Sequence, residues 1–162
     1  MKRTLTVSDS VEIDAPADEI WAQLADPSQM GRWSPENSGT EAPSRGVLSV
    51  GDEFVGRNRR GRARWVTKCR VSDSDPGKRF AFDVLAIGPS KPVMGGRIAS
   101  WSYDLSPAGG GTRVTETWTD NRPWPDLAAN LFDKVAAGKP FAEFQRGNIA
   151  RTLAALKADL SR

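Results

Sequence analysis

The stretch PFAEFQRGNIARTLAALKADL, residues 140–160, carries the clearest structural signal in the chain. Its apolar side chains recur at steps of three and four residues, which is the spacing of one face of an α-helix. Pro140 suits the start of this helix, because the first turn leaves its N–H groups unpaired in any case. The pattern predicts a long C-terminal helix with one face able to lie across a sheet, formed by Phe141, Phe144, Asn148, Ile149, Thr152, Leu153, Leu156 and Leu160.

The residues before this helix predict a run of strands. Leu5 to Asp14 is rich in Val, Ile and Thr and predicts an opening strand. Two short helices follow, one beginning at Pro16 and ending at Asp26-Pro27, the other over residues 28–32. Turn residues then separate six further strands, near residues 39–48, 51–59, 62–73, 79–87, 97–106 and 112–120. The spacing of Leu127, Leu131, Phe132 and Val135 predicts a helix over residues 124–137, before the last one. This order predicts an α+β fold with an antiparallel sheet in a single domain, residues 1–162.

The residue types that are missing exclude several kinds of catalytic site. The chain contains no histidine and one cysteine, Cys69. Catalytic triads, Cys–His pairs and zinc sites built from histidine or cysteine are therefore excluded. We expect Cys69 to be an inward, unreactive thiol. Gly109-Gly110-Gly111 lacks the lysine of a phosphate loop. From these absences together we expect neither a metal nor a cofactor. Any catalysis therefore has to use Asp, Glu, Lys, Arg, Tyr or a bound water.

The sequence also predicts where the protein is located. Two basic residues near the N-terminus are followed by no apolar run, so we expect no signal peptide. No stretch approaches the roughly 20 apolar residues of a transmembrane helix. A single cysteine excludes an internal disulfide and suits a reducing compartment. We therefore expect a cytoplasmic protein.

Alternation along the strands sorts their residues into two faces. If Arg60-Gly61 forms the two-residue turn of a hairpin, Gly56 lies opposite Trp65. Aromatic and small residues then share one face of the hairpin, and charged residues share the other. The same alternation in the later strands adds to the aromatic face Phe82, Trp101, Tyr103, Glu116 and Trp118. One helix stripe is narrower than a sheet of six or seven strands, so this face either encloses a cavity or forms a partner surface.

Several blocks of residues, spread over nearly the full chain, form a pattern of known proteins: Ile13-Asp14-Ala15-Pro16, Ile20-Trp21, Asp26-Pro27, Gly31-Arg32-Trp33-Ser34-Pro35-Glu36, Gly51 to Phe54, Gly56-Arg57-Asn58 and Gly111-Thr112-Arg113-Val114-Thr115-Glu116. In these blocks the sequence resembles the SRPBCC superfamily, also called START-like, and within it the polyketide cyclase/dehydrase and lipid-transport group. The resemblance implies a helix-grip fold: a seven-stranded antiparallel sheet curved around the C-terminal helix, with two short helices after the first strand and a cavity between sheet and helix. The stretch 121–139 is longer than the usual connection in this family, so we expect a different cavity mouth there.

The resemblance changes how the aromatic face is interpreted. On the strand pattern alone, aromatic residues on one face are usually core. Helix-grip sheets keep part of that face open, so we interpret it as a pocket for a small, largely apolar molecule. Trp33, in the loop that the family places near the cavity entrance, could equally anchor that loop on the sheet. The predicted ligand-binding residues are Trp33, Glu36, Phe54, Asn58, Trp65, Phe82, Trp101 and Trp118.

Glu116 and Tyr103 are the candidate catalytic residues. Glu116 has inward parity, and a carboxylate in such a place loses solvation, so its pKa rises unless a cation or a donor stabilises the charge. A carboxyl of this kind can act as a general acid or base. The alternative is a structural carboxyl satisfied by a neighbour such as Asn58, Tyr103, Arg97 or Arg122.

A basic hairpin suggests a further kind of partner. Residues 57–70 carry seven basic residues and no acidic one. The turn at Arg60-Gly61 would pair like charges on the outward face, Arg57 with Arg64 and Arg59 with Arg62. An anionic partner such as a phospholipid surface, an acyl carrier protein or nucleic acid would offset this repulsion, as would water and nearby acidic residues. Nucleic acid is the least favoured of these, because no aromatic side chain accompanies the arginines on that face.

Three functions are compatible with these features. The first is binding or transport of a small hydrophobic ligand, such as a lipid, an isoprenoid or a polyketide-like molecule, in the internal cavity. The second is an aromatase/cyclase or dehydratase-like enzyme that uses Glu116 with Tyr103 or a bound water, without a metal or a covalent nucleophile. The third is an interaction module that docks an anionic partner through the basic hairpin. The sequence favours the first, because it does not show that the polar groups of the pocket converge as an enzyme requires.

Overall fold

The computed structural model describes residues 2–43 and 46–162 of the chain. Their elements follow one another in the order β1 (Thr6–Ile13), α1 (Ala17–Leu24), a 3₁₀ helix (Pro27–Arg32), β2 (Asn37–Glu41), β3 (Glu53–Arg60), β4 (Ala63–Asp75), β5 (Arg79–Gly88), β6 (Met94–Ala108), β7 (Gly111–Asp120), α2 (Asp126–Ala137) and α3 (Phe141–Leu160). The strands form one seven-stranded antiparallel sheet in the order β1-β7-β6-β5-β4-β3-β2, which confirms the predicted α+β architecture. None of the helices in this part of the chain combines the length and the apolar character that crossing a bilayer requires.

The sheet curves around α3, as the helix-grip fold requires. Its register shifts twice between β4 and β5 and once between β5 and β6, and such bulges bend a sheet and increase its twist. α3 packs mainly against β1 and also against β7. The helix therefore covers one side of the sheet, and the inward faces of β3 to β6 border an open space. The side chains that α3 buries are Ala142, Asn148, Ile149, Thr152, Leu153 and Leu156.

The hairpin between β3 and β4 corrects the predicted register. Its turn lies one residue later than expected, at Gly61 and Arg62. Gly61 has a φ of +59°, a conformation that glycine adopts without strain and that the first central position of a tight hairpin turn demands. As a result Gly56 lies opposite Thr67 rather than Trp65. Because the register moves by two residues, each side chain nevertheless stays on its predicted face.

The predicted strand over residues 39–48 is only partly correct. β2 begins at Asn37 and ends at Glu41, and residues 44 and 45 lie outside the described residues. Pro43 has no N–H to donate to a neighbouring strand, and Gly46 has a φ of +99°, so the chain leaves the sheet here. The other predicted elements differ from the observed ones by a few residues at their ends.

Candidate functional site

A cavity of about 930 Å³ lies between the inward face of the sheet and α3. This volume is near the upper end of the range for pockets that hold small molecules. Nine of the ten predicted site residues line it: Glu36, Phe54, Asn58, Trp65, Phe82, Trp101, Tyr103, Glu116 and Trp118. The aromatic face thus borders an open space, and the role of these side chains in binding a ligand remains a prediction.

Trp33 is the predicted site residue that lies elsewhere. Its side chain is buried but is not among the described residues that line the cavity. The indole N–H donates a hydrogen bond of 2.9 Å to Asp159 near the end of α3, and Asp159 also forms an ion pair with Arg32. This contact fits the anchoring interpretation of Trp33, with α3 in place of the sheet as the anchor.

Glu116 and Tyr103 lie opposite each other on β7 and β6. Both are buried, at 2% and 7% exposure. Burial raises the pKa of Glu116 to about 8, and a hydrogen bond from Tyr103 offsets part of that rise. Burial, together with the neighbouring carboxyl, raises the pKa of Tyr103 well above its usual value, so the phenol keeps its proton and acts as a donor.

The second carboxyl oxygen of Glu116 has no partner in the described part of the chain. This atom, Oε2, is buried and accepts no hydrogen bond. Of the structural partners expected for Glu116, Tyr103 donates a hydrogen bond to it, whereas Arg122 pairs with Asp120 and Asp133 instead. At pH 7 the carboxyl is mainly protonated, so its free oxygen can present a proton to a carbonyl or hydroxyl group in the cavity.

Arg122 belongs to a buried ion cluster at the edge of the cavity. Its guanidinium donates to both carboxyl oxygens of Asp120 at 2.9 and 2.8 Å and to Asp133 at 2.7 Å. The side chains of all three residues are at most 3% exposed. Arg3 adds a second cation at 3.2 Å from Asp120. Every charge in this cluster is paired, and the cluster joins α2, which carries Asp133, to the end of β7.

α2, which lies within the long connection of residues 121–139, forms part of the cavity wall. Phe132, Ala136 and Ala137 line the cavity. The ring of Phe132 meets the rings of Trp124 and Phe141 edge to face, with centroids 5.3 and 6.1 Å apart. The apolar spacing that predicted this helix marks its outer face instead, where three side chains are exposed: Leu127, Leu131 and Val135.

Sequence reasoning missed the polar groups that α3 contributes to the cavity. Asn148 and Thr152 are each 5% exposed and line the cavity. The Asn148 amide donates to Oε1 of Glu36 at 2.5 Å, and its oxygen accepts from Arg151 at 2.9 Å. A signal was present, because both residues interrupt an otherwise apolar helix face. Buried polar groups on such a face need partners, and one partner of Asn148, Glu36, lies 112 residues away in the sequence.

The outward arginines of the β3–β4 hairpin do not form the predicted pairs. Because the turn lies one residue later, Arg57 faces a valine, and Arg59 faces Arg64 rather than Arg62. Arg57 forms an ion pair with Glu41 of β2. Among the described residues, no ion pair joins Arg59 or Arg64 to a carboxylate. One like-charged pair therefore remains on this face.

The remaining reactive side chain of the cavity is Cys69. Burial raises its pKa to about 12, so the thiol is protonated and suits the unreactive role expected for it. Within residues 2–43 and 46–162, no group of three His, Cys, Asp or Glu side chains is arranged to hold a metal ion. Among the described residues, the carboxyls that line the cavity are those of Glu36 and Glu116, and the cations that line it are Arg60, Arg64 and Arg122.

A family model for polyketide cyclase / dehydrase and lipid transport proteins matches residues 4–161. Among solved structures, protein CV1439 of Chromobacterium violaceum has a TM-score of 0.69 at 15% identity, covering 98% of this chain and 99% of that chain. The Polyketide_cyc-like protein Cgl2372 of Corynebacterium glutamicum has a TM-score of 0.58 at 26% identity, covering 97% and 91%. Protein Ms6760 of Mycobacterium smegmatis has a TM-score of 0.64 at 19% identity, covering 98% and 91%. No curated protein matches the chain. With a family match over nearly its whole length and the helix-grip fold, the protein belongs to the polyketide cyclase/dehydrase and lipid transport family of the SRPBCC superfamily.

Proposed function

We propose that the protein binds a small, largely apolar molecule in the cavity between the sheet and α3, with Glu116 as its polar contact. The observation that carries this proposal is the buried, unpartnered Oε2 atom of Glu116 on the wall of a cavity of about 930 Å³. Leaving a buried polar atom unpaired costs about 1–3 kcal/mol. A ligand that accepts a hydrogen bond from this carboxyl would recover that cost.

The lining of the cavity supports an apolar ligand. Indole and phenyl rings from five strands line the open space: Phe54, Trp65, Phe82, Trp101 and Trp118. Phe54 and Phe82 pack edge to face at 5.2 Å, so part of this surface is rigid. Lipids, isoprenoids and polyketide-like aromatics share this apolar character, and the family includes lipid transport proteins. A cytoplasmic location, suggested by the single cysteine, is part of the proposal.

The test is binding of a neutral fluorescent probe, N-phenyl-1-naphthylamine, to two variants of the same strand. Ala99 lines the cavity, so Ala99→Phe should fill it and weaken probe binding at least tenfold. Ser102 has no contact with the cavity among the described residues, so Ser102→Phe adds the same bulk and should leave binding unchanged. Equal binding by both variants would contradict the proposal. If Ala99→Phe alone weakens probe binding, native mass spectrometry of protein purified from its own host would identify the bound molecule.

An enzyme is the second candidate, favoured by the chemistry of the pair Glu116 and Tyr103. A neutral carboxyl with a pKa of about 8 beside a fixed phenol is suited to proton transfer in an aromatase/cyclase or dehydratase reaction. For this candidate, Glu116→Gln should reduce turnover of a β-polyketide thioester about a hundredfold or more and leave its affinity within a fewfold. An unchanged turnover rate in Glu116→Gln would contradict the enzyme candidate and leave ligand binding as the proposed function.

The third candidate is docking of an anionic partner through Arg57, Arg59, Arg62 and Arg64. The observation in its favour is the like-charged pair of Arg59 and Arg64, which has no carboxylate partner in the described part of the chain. Binding to vesicles that contain phosphatidylglycerol should fall with salt and with the double variant Arg59→Gln/Arg64→Gln. Arg113→Gln, at an exposed ion pair on β7, is the control. Vesicle binding that changes neither with salt nor in the double variant would exclude this candidate.

A further inference from the structure

A second unpartnered carboxyl oxygen lies on the wall of the same cavity. Glu36 follows the 3₁₀ helix and directly precedes β2, whereas Glu116 is on β7 near the other edge of the sheet. Oε1 of Glu36 accepts the amide hydrogen of Asn148 at 2.5 Å. Its Oε2 atom is buried and, within the described residues, has no hydrogen-bond partner. Two residues that line the cavity, on separate elements, thus each carry a buried carboxyl oxygen with no partner among the described residues.

The Glu36 carboxyl is subject to opposing influences. Burial is the largest and leaves its pKa above the usual value, while Arg60, the Asn148 amide and Arg151 each lower the pKa and so limit the rise. The Arg60 guanidinium is held in place 4.1 Å above the ring of Phe144. Arg151 is held by its hydrogen bond to the Asn148 oxygen. A carboxyl that faces two cations and an amide donor acts as an acceptor.

Glu116 has the opposite character. Its contact is a neutral phenol, and no ion pair joins it to a cation among the described residues. The carboxyl in this environment favours the protonated form, which donates. The two carboxyls thus offer a ligand an acceptor at Glu36 and a donor at Glu116.

Further polar groups line the wall around Glu36. Ser34 accepts from the backbone N–H of Glu36 and of Asn37, and Asn37 lies opposite Asn58 in the sheet. All of these residues line the cavity. The polar lining is therefore gathered in a corner formed by the loop before β2, the end of β3 and the middle of α3.

From these contacts we propose that the ligand is bifunctional: an apolar body with a hydroxyl group that donates to Glu36 and a carbonyl group that accepts from Glu116. A hydroxyl fits Glu36 better than an ammonium group does, because Arg60 and Arg151 already place positive charge there. This inference rests on the proposed function and names the chemical class of its ligand.

Four aromatic probes of similar shape test it: stilbene, 4-hydroxystilbene, chalcone and 4-hydroxychalcone. Binding is measured by displacement of N-phenyl-1-naphthylamine from the wild-type protein. The hydroxyl and the carbonyl should each increase affinity about tenfold, and 4-hydroxychalcone should bind most tightly. In Glu36→Met the gain from the hydroxyl should disappear while the gain from the carbonyl stays. Glu12→Met, at an exposed ion pair on β1, is the control and should keep both gains.

The outcomes separate this inference from the proposed function. If all four probes bind equally well to the wild type, the cavity binds apolar ligands without distinguishing their hydroxyl and carbonyl groups. The inference is then overturned. The same holds if the hydroxyl gain survives in Glu36→Met. If the fluorescent probe itself does not bind, the proposed function fails together with the inference. If it binds and none of the four compounds displaces it, the inference alone is overturned. The wild-type series needs no variant, so a poorly folded Glu36→Met protein would not remove the test.

Discussion

Two buried acidic residues of the same strand, β7, have opposite surroundings. Asp120, at the end of β7, is paired with Arg122 and Arg3, and Asp133 completes the cluster. Glu116, four residues earlier on the same strand, is contacted by one phenol and leaves an oxygen unpaired. The strand is the same, but the side chains that meet it differ.

We interpret the paired cluster around Arg122 as structural and propose a functional role for Glu116. Charges that are fully paired hold elements together and offer nothing to a ligand, as in the Arg122 cluster, which fixes α2 to the sheet. A buried carboxyl with a free oxygen costs stability and persists where a bound molecule can use it. Four substitutions test this contrast.

The largest effect is expected in the paired cluster. Arg122→Met removes the cation between two buried carboxylates and should lower the free energy of unfolding by about 3–5 kcal/mol. Urea denaturation measures the loss. Arg113→Met, which breaks an exposed ion pair with Glu12, should cost about 0–1 kcal/mol. A loss no larger than that of the control would mean that the Arg122 cluster is not structural.

The next effect depends on pH and concerns Glu116. The folded state holds this proton to a pKa of about 8, whereas the unfolded chain releases it near 4.5. Stability from this group is therefore lost as pH rises from about 4.5 to 8, at a slope of up to about 1.4 kcal/mol per pH unit. Glu116→Gln cannot titrate, so its advantage over the wild type should grow across this range and stay constant above it. Parallel curves of unfolding free energy against pH would contradict a buried, protonated Glu116.

A smaller change is expected from Tyr103→Phe. The hydrogen bond from Tyr103 lowers the pKa of Glu116, so its removal should raise that pKa further above 8. The variant should also lose about 1 kcal/mol of stability. Carbon-13 NMR of the glutamate carboxyls follows the titration, with Glu116→Gln used to assign the signal. A Glu116 pKa that falls in Tyr103→Phe would show that the phenol does not donate to the carboxyl.

The smallest effect is expected outside both groups, at Asp159. Asp159→Ala removes the acceptor of the Trp33 indole and the partner of Arg32. We expect a lower melting temperature, with a shift smaller than that of Tyr103→Phe, and unchanged affinity for N-phenyl-1-naphthylamine. A calorimetric melt and a fluorescence titration give the two values. Weakened probe binding would indicate that Trp33 contributes to the ligand site, contrary to this expectation.

Local periodicity explains why much of the fold could be predicted. The stripe of α3 and the alternation of the strands depend on the geometry of single elements, which the residue order reveals directly. The register of the β3–β4 hairpin could not be predicted with the same accuracy, because it depends on which of two adjacent residues adopts a positive φ. The apolar spacing of α2 predicted a helix but not which side of it would face the cavity.

Most of the cavity lining was also predictable, since an aromatic side chain on the inward face of a strand faces the interior wherever its neighbours lie. The polar contacts were harder. Asn148 meets Glu36 across 112 residues of sequence, and no local pattern connects them. Trp33 was placed in the correct loop, but its contact with Asp159 depends on where the end of α3 lies.

The residue order by itself determined the elements of this protein, the faces of its strands and the aromatic character of its cavity. Only the tertiary structure decided that Asp120 and Asp133 are neutralised by Arg122 and that Glu36 has two cations beside it, whereas no cation pairs with Glu116 among the described residues. The physical reason is that the charge of a carboxyl depends on burial and on nearby donors. Both are contributed by elements that only folding brings together.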